Sequence, residues 1–550
     1  MGTFVTFSSN ETDIAQVVAV SPTGTTFAFL PGIYSNLSIA AKTDDTFTGA
    51  VGSDGSRQTI FSGAQLLSGF TLEDKVWVAS TTQTKPGQLA GYCQTLYPSC
   101  VYNEDLFYDS LPYLNTTSGG ASASLLPGQY YFDYAKGLVF VRPINPSDDP
   151  NQHRVEYNRT RSAITGTNAS NVTIRNIVVE HYASPNQMGA IGDQYPGSEW
   201  HINNIESSWN HGAGVTLASG TELTRSYVHD NGQKGVGGYG SNILVDGNEI
   251  AHNRDYNGAD CAWECGGMKF VTMNLVVQNN DVHDNVGDGS WSDGDSYNTL
   301  YQHNSFRDNS RVGISYEIST LATIRDNTFV NNALCNSWLW CTAILIQNSQ
   351  NVEVYGNTIV VAKGEGGAFS MIYQNRGAGV YGPFLTQNNA VHDNDITFLG
   401  ENSRNGAIAD YDAANFYNNI NPTNTIDGNH YVVPDLSYPY WIDNGESYPW
   451  VAFRALGFEV GGTILVRSDP IRRRLSRIFR FSNTELREHA TTVAKNTIMD
   501  GYEALKSLLK KKFGGTSDAA DALEKLEAKP NSEGRLKSLS TEKLQPSSHG

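Results

Sequence analysis

Charged residues are scarce in this chain of 550 residues: they make up 17% of it, with 38 Lys and Arg against 56 Asp and Glu. Disordered chains are rich in charge and poor in aromatic residues, but aromatic residues reach 11% here, so a folded body is expected. No segment approaches the roughly 18 uninterrupted apolar residues of a membrane-spanning helix, which excludes a membrane span. Asn, Gly, Thr, Ser, Val and Tyr are abundant instead, as in β-proteins with many tight turns.

An excess of basic residues is also missing from most of the chain. From Leu465 onward there are 17 Lys and Arg and 11 Asp and Glu, which leaves 21 basic and 45 acidic residues before it, a net charge of -24. Nucleic-acid binding needs a basic face, so the acidic body argues against a nucleic-acid partner. It argues equally against unaided binding of a polyanion.

Cysteine is rare, but its six residues form three local couples: Cys93 with Cys100, Cys261 with Cys265, and Cys335 with Cys341. None has zinc-ligand spacing with a partner pair, so we expect three local disulfides. Disulfides place the body outside the cytosol, either extracellular or at the cell surface. The first residues show neither the basic start nor the apolar run of a signal peptide.

A repeated phrase fills residues 171–433: apolar, any residue, apolar, two small or polar residues, Asn, any residue, apolar. The Asn recurs at positions 176, 204, 248, 280, 304, 327, 357 and 389, with Ser226 in the remaining slot. The step of 22 to 24 residues, enlarged by insertions, indicates a solenoid. Its alternation has period two, which predicts coils of short strands in which each Asn stacks on the Asn of the next coil.

The repeat resembles the right-handed parallel β-helix of the pectin-lyase-like superfamily over residues 20–430. Residues 27–34 and 44–49 look like the first coils of that family. Residues 263–270, 291–295 and 313–319 resemble a group of secreted bacterial β-helix proteins. That resemblance implies an all-β fold and, by itself, no activity.

The rhythm breaks in two places, which divides the chain into four parts. Trp77 and the first cysteine couple lie in an irregular stretch that we interpret as an inserted β-rich lobe. After residue 465 apolar residues take helical spacing, which predicts a small α-helical appendage. Trp441, Trp450 and Phe453 are expected to cover the last coil. The predicted parts are 1–71 for the first coils, 72–152 for the lobe, 153–464 for the main β-helix, and 465–550 for the helical tail.

Consecutive coils align by strands that are led by Gly, Ala or Ser and start at residues 267, 289, 313, 343 and 370. The second position is mostly apolar and points inward, so the third and fifth positions point outward. The third positions include Lys269 and Trp291. The outward fifth positions after the first coil are Asp293, Glu317, Gln347 and Gln374, and the seventh positions add Asp295 and Arg376.

Asp293 and Glu317 are therefore expected to be adjacent carboxylates, one coil or ~4.8 Å apart. When two carboxylates lie close together, the charge of one raises the pKa of the other, and such a pair suits a general acid beside a base. Lys269 and Asp295 lie within about one coil, and Trp291 offers a plate for a sugar ring. Two other interpretations remain: a solvated polar ladder without a substrate, and a calcium site formed by Asp288, Asp293 and Asp295.

Two disulfide-closed insertions are expected to border this face. The first carries Trp263 and Glu264, and the second carries Trp338 and Trp340; these residues either contact a glycan or form a satellite core under the loops. His211 precedes a strand and either lines the same face or serves as a turn residue.

These observations predict an extracellular carbohydrate-active enzyme that cleaves a polysaccharide. Hydrolysis would use Asp293 and Glu317. A uronate lyase would use Lys269 or Arg376 as the base, with calcium to neutralise the substrate carboxylate. The alternative is a non-catalytic glycan-binding or surface-attached structural rod.

Overall fold

The computed structural model describes residues 3–467, apart from 83–90, 96, 98, 99, 117–124, 255, 257, 336, 337, 363–365 and the side chain of Trp338. The chain divides into two compact units, residues 1–468 and 469–550. Residues 468–550 of the predicted helical tail lie outside the described residues, and its first residues, 465 and 466, belong to the strand Thr463–Val466. Within them, no helix has the length and hydropathy needed to cross a membrane.

The first unit is a parallel β-helix, as predicted, built from three ladders of parallel strands that we name sheets 1, 2 and 3. The strands of sheet 1 are Ile39–Ala40, Ile164–Thr165, Gly189–Ile191, Ala213–Leu217, Lys234–Ser241, Gly266–Met273, Asp288–Ser292, Ile314–Glu317, Ile344–Gln347, Gly367–Tyr373, Arg404–Ala409 and Trp441–Asp443, followed by antiparallel Glu446–Tyr448. The strands of sheet 2 are Phe4–Phe7, Thr26–Phe29, Thr46–Gly49, Thr173–Arg175, His201–Asn203, Glu222–Thr224, Leu244–Asp246, Val276–Gln278, Tyr297–Gln302, Thr320–Arg325, Gln350–Tyr355, Ala390–His392 and Thr425–Asp427. The strands of sheet 3 are Gly32–Ser35, Thr59–Ser62, Val178–Glu180, Glu206–Ser208, Tyr227–His229, Glu249–Ala251, Asp281–His283, Ser305–Arg307, Thr328–Val330, Thr358–Val361, Asp395–Phe398, His430–Val433 and Thr463–Val466.

Alternation along each strand separates core from surface. In Gly266–Met273, the side chains of Met268 and Phe270 are buried in the central core, whereas those of Val271 and Met273 are exposed. One apolar stack of such inward residues runs through all the coils.

Asn side chains tie each coil to the next at the turns. Asn280 donates from Nδ2 to Oδ1 of Asn304 at 2.9 Å, and Asn304 donates in the same way to Asn327. This confirms the predicted stack in these coils, but Asn357 bonds to Asn394, so Asn389 is not its neighbour. Asn394 follows strand Ala390–His392 as Asn357 follows Gln350–Tyr355, and this strand pairing sets the register.

A second Asn stack, which the sequence pattern did not reveal, runs along another corner. In this stack Nδ2 of each Asn donates to Oδ1 of the next one at 2.8 to 3.0 Å. Its members are Asn210, Asn231, Asn253, Asn285, Asn309 and Asn332. The two stacks satisfy buried amide groups at the bends of the coils, where a strand ladder cannot.

The inserted lobe leaves the β-helix after Thr59–Ser62 and contains two antiparallel or mixed sheets. One contains Ala64–Leu66, Leu106–Tyr108, Leu111–Pro112 and Val155–Asn158; the other contains Thr71–Glu73, Val76–Ser80, Leu114–Asn115, Gln129–Asp133 and Leu138–Arg142. The lobe has its own apolar cluster. Its strands begin before residue 72 and end after residue 152, because both flanking strands pair within the lobe.

Short helical segments and aromatic residues complete the unit. The helical segments are Ile14–Val20, Pro150–Gln152, Trp338–Trp340, Ala413–Asn415, Phe416–Ile420, Asn421–Thr423 and Trp450–Ala455. A hairpin, Ala378–Gly379 with Gly382–Pro383, projects from sheet 1. At the last coils Trp441 stacks on Phe453 with ring centroids 5.9 Å apart, and both are fully buried.

Candidate active site

A cleft of about 500 Å³ lies on the outward face of sheet 1. Nine of the predicted site residues line it: Trp263, Glu264, Lys269, Trp291, Asp293, Glu317, Trp340, Gln347 and Arg376. Gln187, Asp288, Arg311 and Ser315 are among the other lining residues. The structure therefore brings together residues that are up to 189 positions apart in sequence, from Gln187 to Arg376.

The pairing of strands explains why these side chains meet. Lys269 pairs with Trp291, Trp291 with Ser315, and Ser315 with Leu345 across four successive coils. Glu317 pairs with Gln347 in the same way. The inward neighbours, such as Ile314 and Ile344, are buried in the core. The outward positions thus form columns parallel to the axis of the β-helix.

The predicted register of the last coil is wrong by two residues. Ile344 pairs with Phe369 and Gln347 with Ile372, because strand Gly367–Tyr373 starts earlier than the alignment at Ser370 assumed. Gln374 consequently lies beyond the strand. Its side chain still accepts a hydrogen bond from Nε2 of Gln347 at 2.9 Å.

Lys269 is the central cation of the cleft. Its Nζ lies 2.9 Å from Oδ2 of Asp293, 3.7 Å from Oε2 of Glu264, and 3.4 Å from the ring centroid of Trp291. The cation covers one face of the indole, so that face is not free to stack on a sugar. The indole nitrogen of Trp291 is buried and has no hydrogen-bond partner in the part of the chain that the structure describes.

Glu317 is the more deeply buried carboxylate of the predicted pair. Its side chain is 8% exposed and that of Asp293 is 19% exposed. Burial raises the pKa of Glu317, and the charge of Asp293 raises it further, against the opposing effect of Arg376. Arg376 donates from Nη1 to Oε1 of Glu317. Two neighbouring carboxyl groups therefore have unlike environments.

A buried ion pair supports the cleft from behind. Glu264 accepts hydrogen bonds from Nζ of Lys234 and, at 2.7 Å, from Nε2 of Gln187. Burial would raise the pKa of Glu264, but Lys234 and Lys269 outweigh it and lower that pKa. Lys234 and Gln187 were missed in the sequence. Lys234 begins the Gly-rich strand one coil before Gly266–Met273, so extending the alignment by one coil reveals it.

Asp288 faces a second cation at the other edge of the cleft. Its Oδ1 lies 3.8 Å from Nε of Arg311, and burial raises its pKa. The predicted calcium ligands do not converge, because strand Asp288–Ser292 separates Asp288 from Asp293 by about 16 Å of extended chain. Asp295 lies two residues further on, past a turn. The three carboxylates therefore cannot surround one ion.

All three predicted disulfides are present, and two of them shape the rim. The Cys261–Cys265 loop presents Trp263, whose ring packs edge-on against Tyr92 of the lobe at 5.6 Å. The Cys335–Cys341 loop presents Trp340, which packs on a small apolar cluster outside the coils. Trp340 thus lies over a satellite core and lines the cleft at once.

Three predicted residues of the described part, Asp295, Gln374 and His211, do not line the cleft, and the side chain of Trp338 lies outside the described residues. Asp295 accepts a hydrogen bond from the backbone of Val380 at 3.0 Å, and so holds the hairpin that follows Arg376. His211 is fully buried and bonds to Asp105 and to the carbonyl of Cys100 at 2.8 and 2.9 Å. His211 therefore contacts the inserted lobe instead of the cleft.

Comparison with known proteins supports this architecture. Residues 190–359 match the family profile described as right handed beta helix region, and residues 488–547, outside the described part, match that of the Het-E N-terminal domain. A complex of XylC with xylose is similar over 85% of this chain and 87% of its own, at 14% identity and a TM-score of 0.58. A glycoside hydrolase matches over 74% and 96%, at 10% identity and a TM-score of 0.41.

A third similar structure is the A-module of the Azotobacter vinelandii mannuronan C-5 epimerase AlgE6, over 83% of this chain and 93% of its own, at 14% identity and a TM-score of 0.40. No curated protein sequence matches the chain. The fold is a right-handed parallel β-helix, which confirms the fold that the resemblance in the sequence implied. In this β-helix the carboxylates and tryptophans of the cleft lie together on the outward face of sheet 1.

Proposed function

We propose that this protein hydrolyses a neutral polysaccharide outside the cytosol, with Glu317 as the general acid and Asp293 as the nucleophile or base. The observation that carries this proposal is the unlike pair of carboxyls. Burial raises the pKa of Glu317, which favours a proton on it, while Asp293 is ion-paired with Lys269. Such a division of two carboxyls between acid and base is the pattern of glycosidases.

The position of the pair favours retention of configuration. Asp293 and Glu317 lie on adjacent coils, whose backbones are ~4.8 Å apart. Carboxyl groups about 5 Å apart act by a covalent intermediate, whereas inverting enzymes hold them further apart to admit a water molecule. Hydrolysis with retention therefore follows if the two side chains run parallel.

The charges of the cleft favour a neutral substrate over a uronate. Each of its three lining cations is paired with a carboxylate: Lys269 with Asp293, Arg311 with Asp288, and Arg376 with Glu317. Glu264 adds a fourth acidic group to the lining. Among the described lining residues no cation is left unpaired for a uronate carboxylate, and the two bases suggested for a lyase are already engaged.

The location outside the cytosol rests on the three disulfides, which persist in oxidising compartments. The similar structure solved with xylose suggests xylan as one neutral glycan to try first.

A screen of neutral and uronate polysaccharides tests the proposal. New reducing ends would be measured together with the ultraviolet absorbance of an unsaturated product, and glycan binding would be measured by calorimetry. Reducing ends from a neutral glycan without absorbance are expected. Unsaturated products from a uronate would show a lyase, and binding without any turnover would show a glycan-binding rod; either result contradicts hydrolysis.

A further inference from the structure

An aromatic residue lies on the same outward column as the two carboxylates. Tyr239 pairs with Val271 between strands Lys234–Ser241 and Gly266–Met273. Asp293 follows on the next coil, where its backbone N–H donates to the carbonyl of Phe270 at 3.0 Å. Tyr239 is therefore two coils, or about 10 Å, from Asp293 along the axis of the β-helix.

A second ring stands beside it. The ring centroid of Tyr195 lies 6.4 Å from that of Tyr239, and Tyr195 is 60% exposed. Gly237 occupies the neighbouring outward position, where an added Cβ would lie 3.1 Å from Cε of Lys234. A side chain at Gly237 would thus crowd the lysine that supports Glu264. The bare backbone at Gly237 therefore leaves room for the end of Lys234 next to the tyrosines.

The strand register places Tyr239 next to the cleft, and charged groups of the cleft affect its pKa. Burial raises the pKa of Tyr239 to about 12, the charge of Glu264 adds to that shift, and Lys269 opposes it. Glu264 and Lys269 both line the cleft. The hydroxyl group of Tyr239 is therefore close enough to interact with charges of the cleft, and its ring extends the same surface.

We propose that Tyr239 and Tyr195 form a sugar-binding subsite that continues the cleft toward the N-terminal coils and favours long glycan chains over short ones. This inference rests on the proposed function for the identity of its ligand, a neutral glycan. A chain that passes Asp293 along the axis meets Val271 and then the tyrosine pair. Aromatic faces bind the apolar face of a sugar ring, and tyrosine hydroxyls bond to its polar edge.

The test compares substrates of different length. Tyr239→Ala and Tyr195→Ala, with Tyr239→Phe to retain the ring, would be assayed on xylobiose, xylohexaose and xylan, or on the matching series of whichever neutral glycan the screen finds. Tyr355→Ala serves as a matched control, since Tyr355 stacks on His392 and belongs to sheet 2. The alanine variants are expected to raise KM for the long substrates about tenfold, with kcat and the shortest substrate unaffected. With Tyr239→Phe, which retains the ring, KM for the long substrates should stay close to the wild-type value.

A binding experiment separates this inference from the proposed function. Calorimetry would compare Glu317→Gln with the double variant Glu317→Gln/Tyr239→Ala, using the same long glycan. Weaker binding by the double variant supports the subsite even if the wild-type protein hydrolyses nothing. Equal affinity of the two, equal effects on short and long substrates, or no binding of any glycan would overturn the subsite, and the first two results leave hydrolysis untouched.

Discussion

Lys234 offers a test of how the cleft is supported. Its side chain is 2% exposed and that of its partner Glu264 is 5% exposed, so the pair is largely shielded from water. Replacing Lys234 with Met keeps the stem of the side chain but removes the charge, which leaves a buried carboxylate without its main partner. Removing one member of a buried pair typically costs about 3–5 kcal/mol.

The lower end of that range applies here. Nε2 of Gln187 still donates to Glu264 at 2.7 Å, and Lys269 remains 3.7 Å away. We therefore expect Lys234→Met to cost about 3 kcal/mol of the free energy of unfolding. For the unit of residues 1–468, an entropy of unfolding near 2.1 cal/mol/K per residue gives about 1 kcal/mol per degree, so Tm should fall by about 3 °C.

Calorimetry at neutral pH and a urea titration would measure the loss. The control is Lys234→Met/Glu264→Gln, which removes both charges and should recover to within about 1 kcal/mol of the wild type, because no buried charge is left unpaired. A single variant as stable as the wild type, or a double variant no better than the single one, would refute the argument.

Four further predictions follow from other contacts. Arg376→Leu should move the alkaline limb of the kcat profile to higher pH, since Arg376 opposes the rise in the pKa of Glu317; a shift to lower pH would contradict this. Burial alone would lower the pKa of His229, but its two carboxylate partners, Asp230 and Glu206, raise it to about 8. About 2 kcal/mol of stability is therefore present below pH 6.5 and lost as the pH rises through 8. His229→Gln should abolish this pH dependence of the free energy of unfolding in urea titrations. Glu459→Ala should lower Tm by about 2–4 °C because three donors lose a buried acceptor, whereas Glu459→Gln should recover part of the loss; equal Tm values would contradict this. A chain that ends at Ser468 should stay soluble and melt within a few degrees of the full chain, and aggregation would show that the tail is part of the cover of the last coil.

The coil architecture could be predicted because residues close together in the sequence determine each coil. Each coil repeats the same alternation and the same turn Asn, so the phrase alone indicates strands and their stacking. Adjacent side chains such as Asp293 and Glu317 then follow from register. The same reasoning failed at Gly367–Tyr373, because this strand begins before Ser370 and its register shifts only against the coil after it.

Residues that act through the inserted lobe or through buried charges could not be predicted in this way. His211 is directed by Asp105 of the lobe, and no local pattern records that contact. The cover of Trp291 by Lys269 depends on where an ammonium group settles between two acids and a ring. Such placements follow from the balance of several charges, which spacing in the sequence does not encode.

The central claim, that Asp293 and Glu317 perform hydrolysis, is tested most directly by turnover of matched amide variants. Asp293→Asn and Glu317→Gln would be compared with the wild type on the neutral glycan found by the screen, with Glu353→Gln of sheet 2 as the control. We expect both cleft variants to lose about 10²-fold or more of kcat, with folding and glycan binding retained and the control fully active. Full activity of both cleft variants would contradict the assignment.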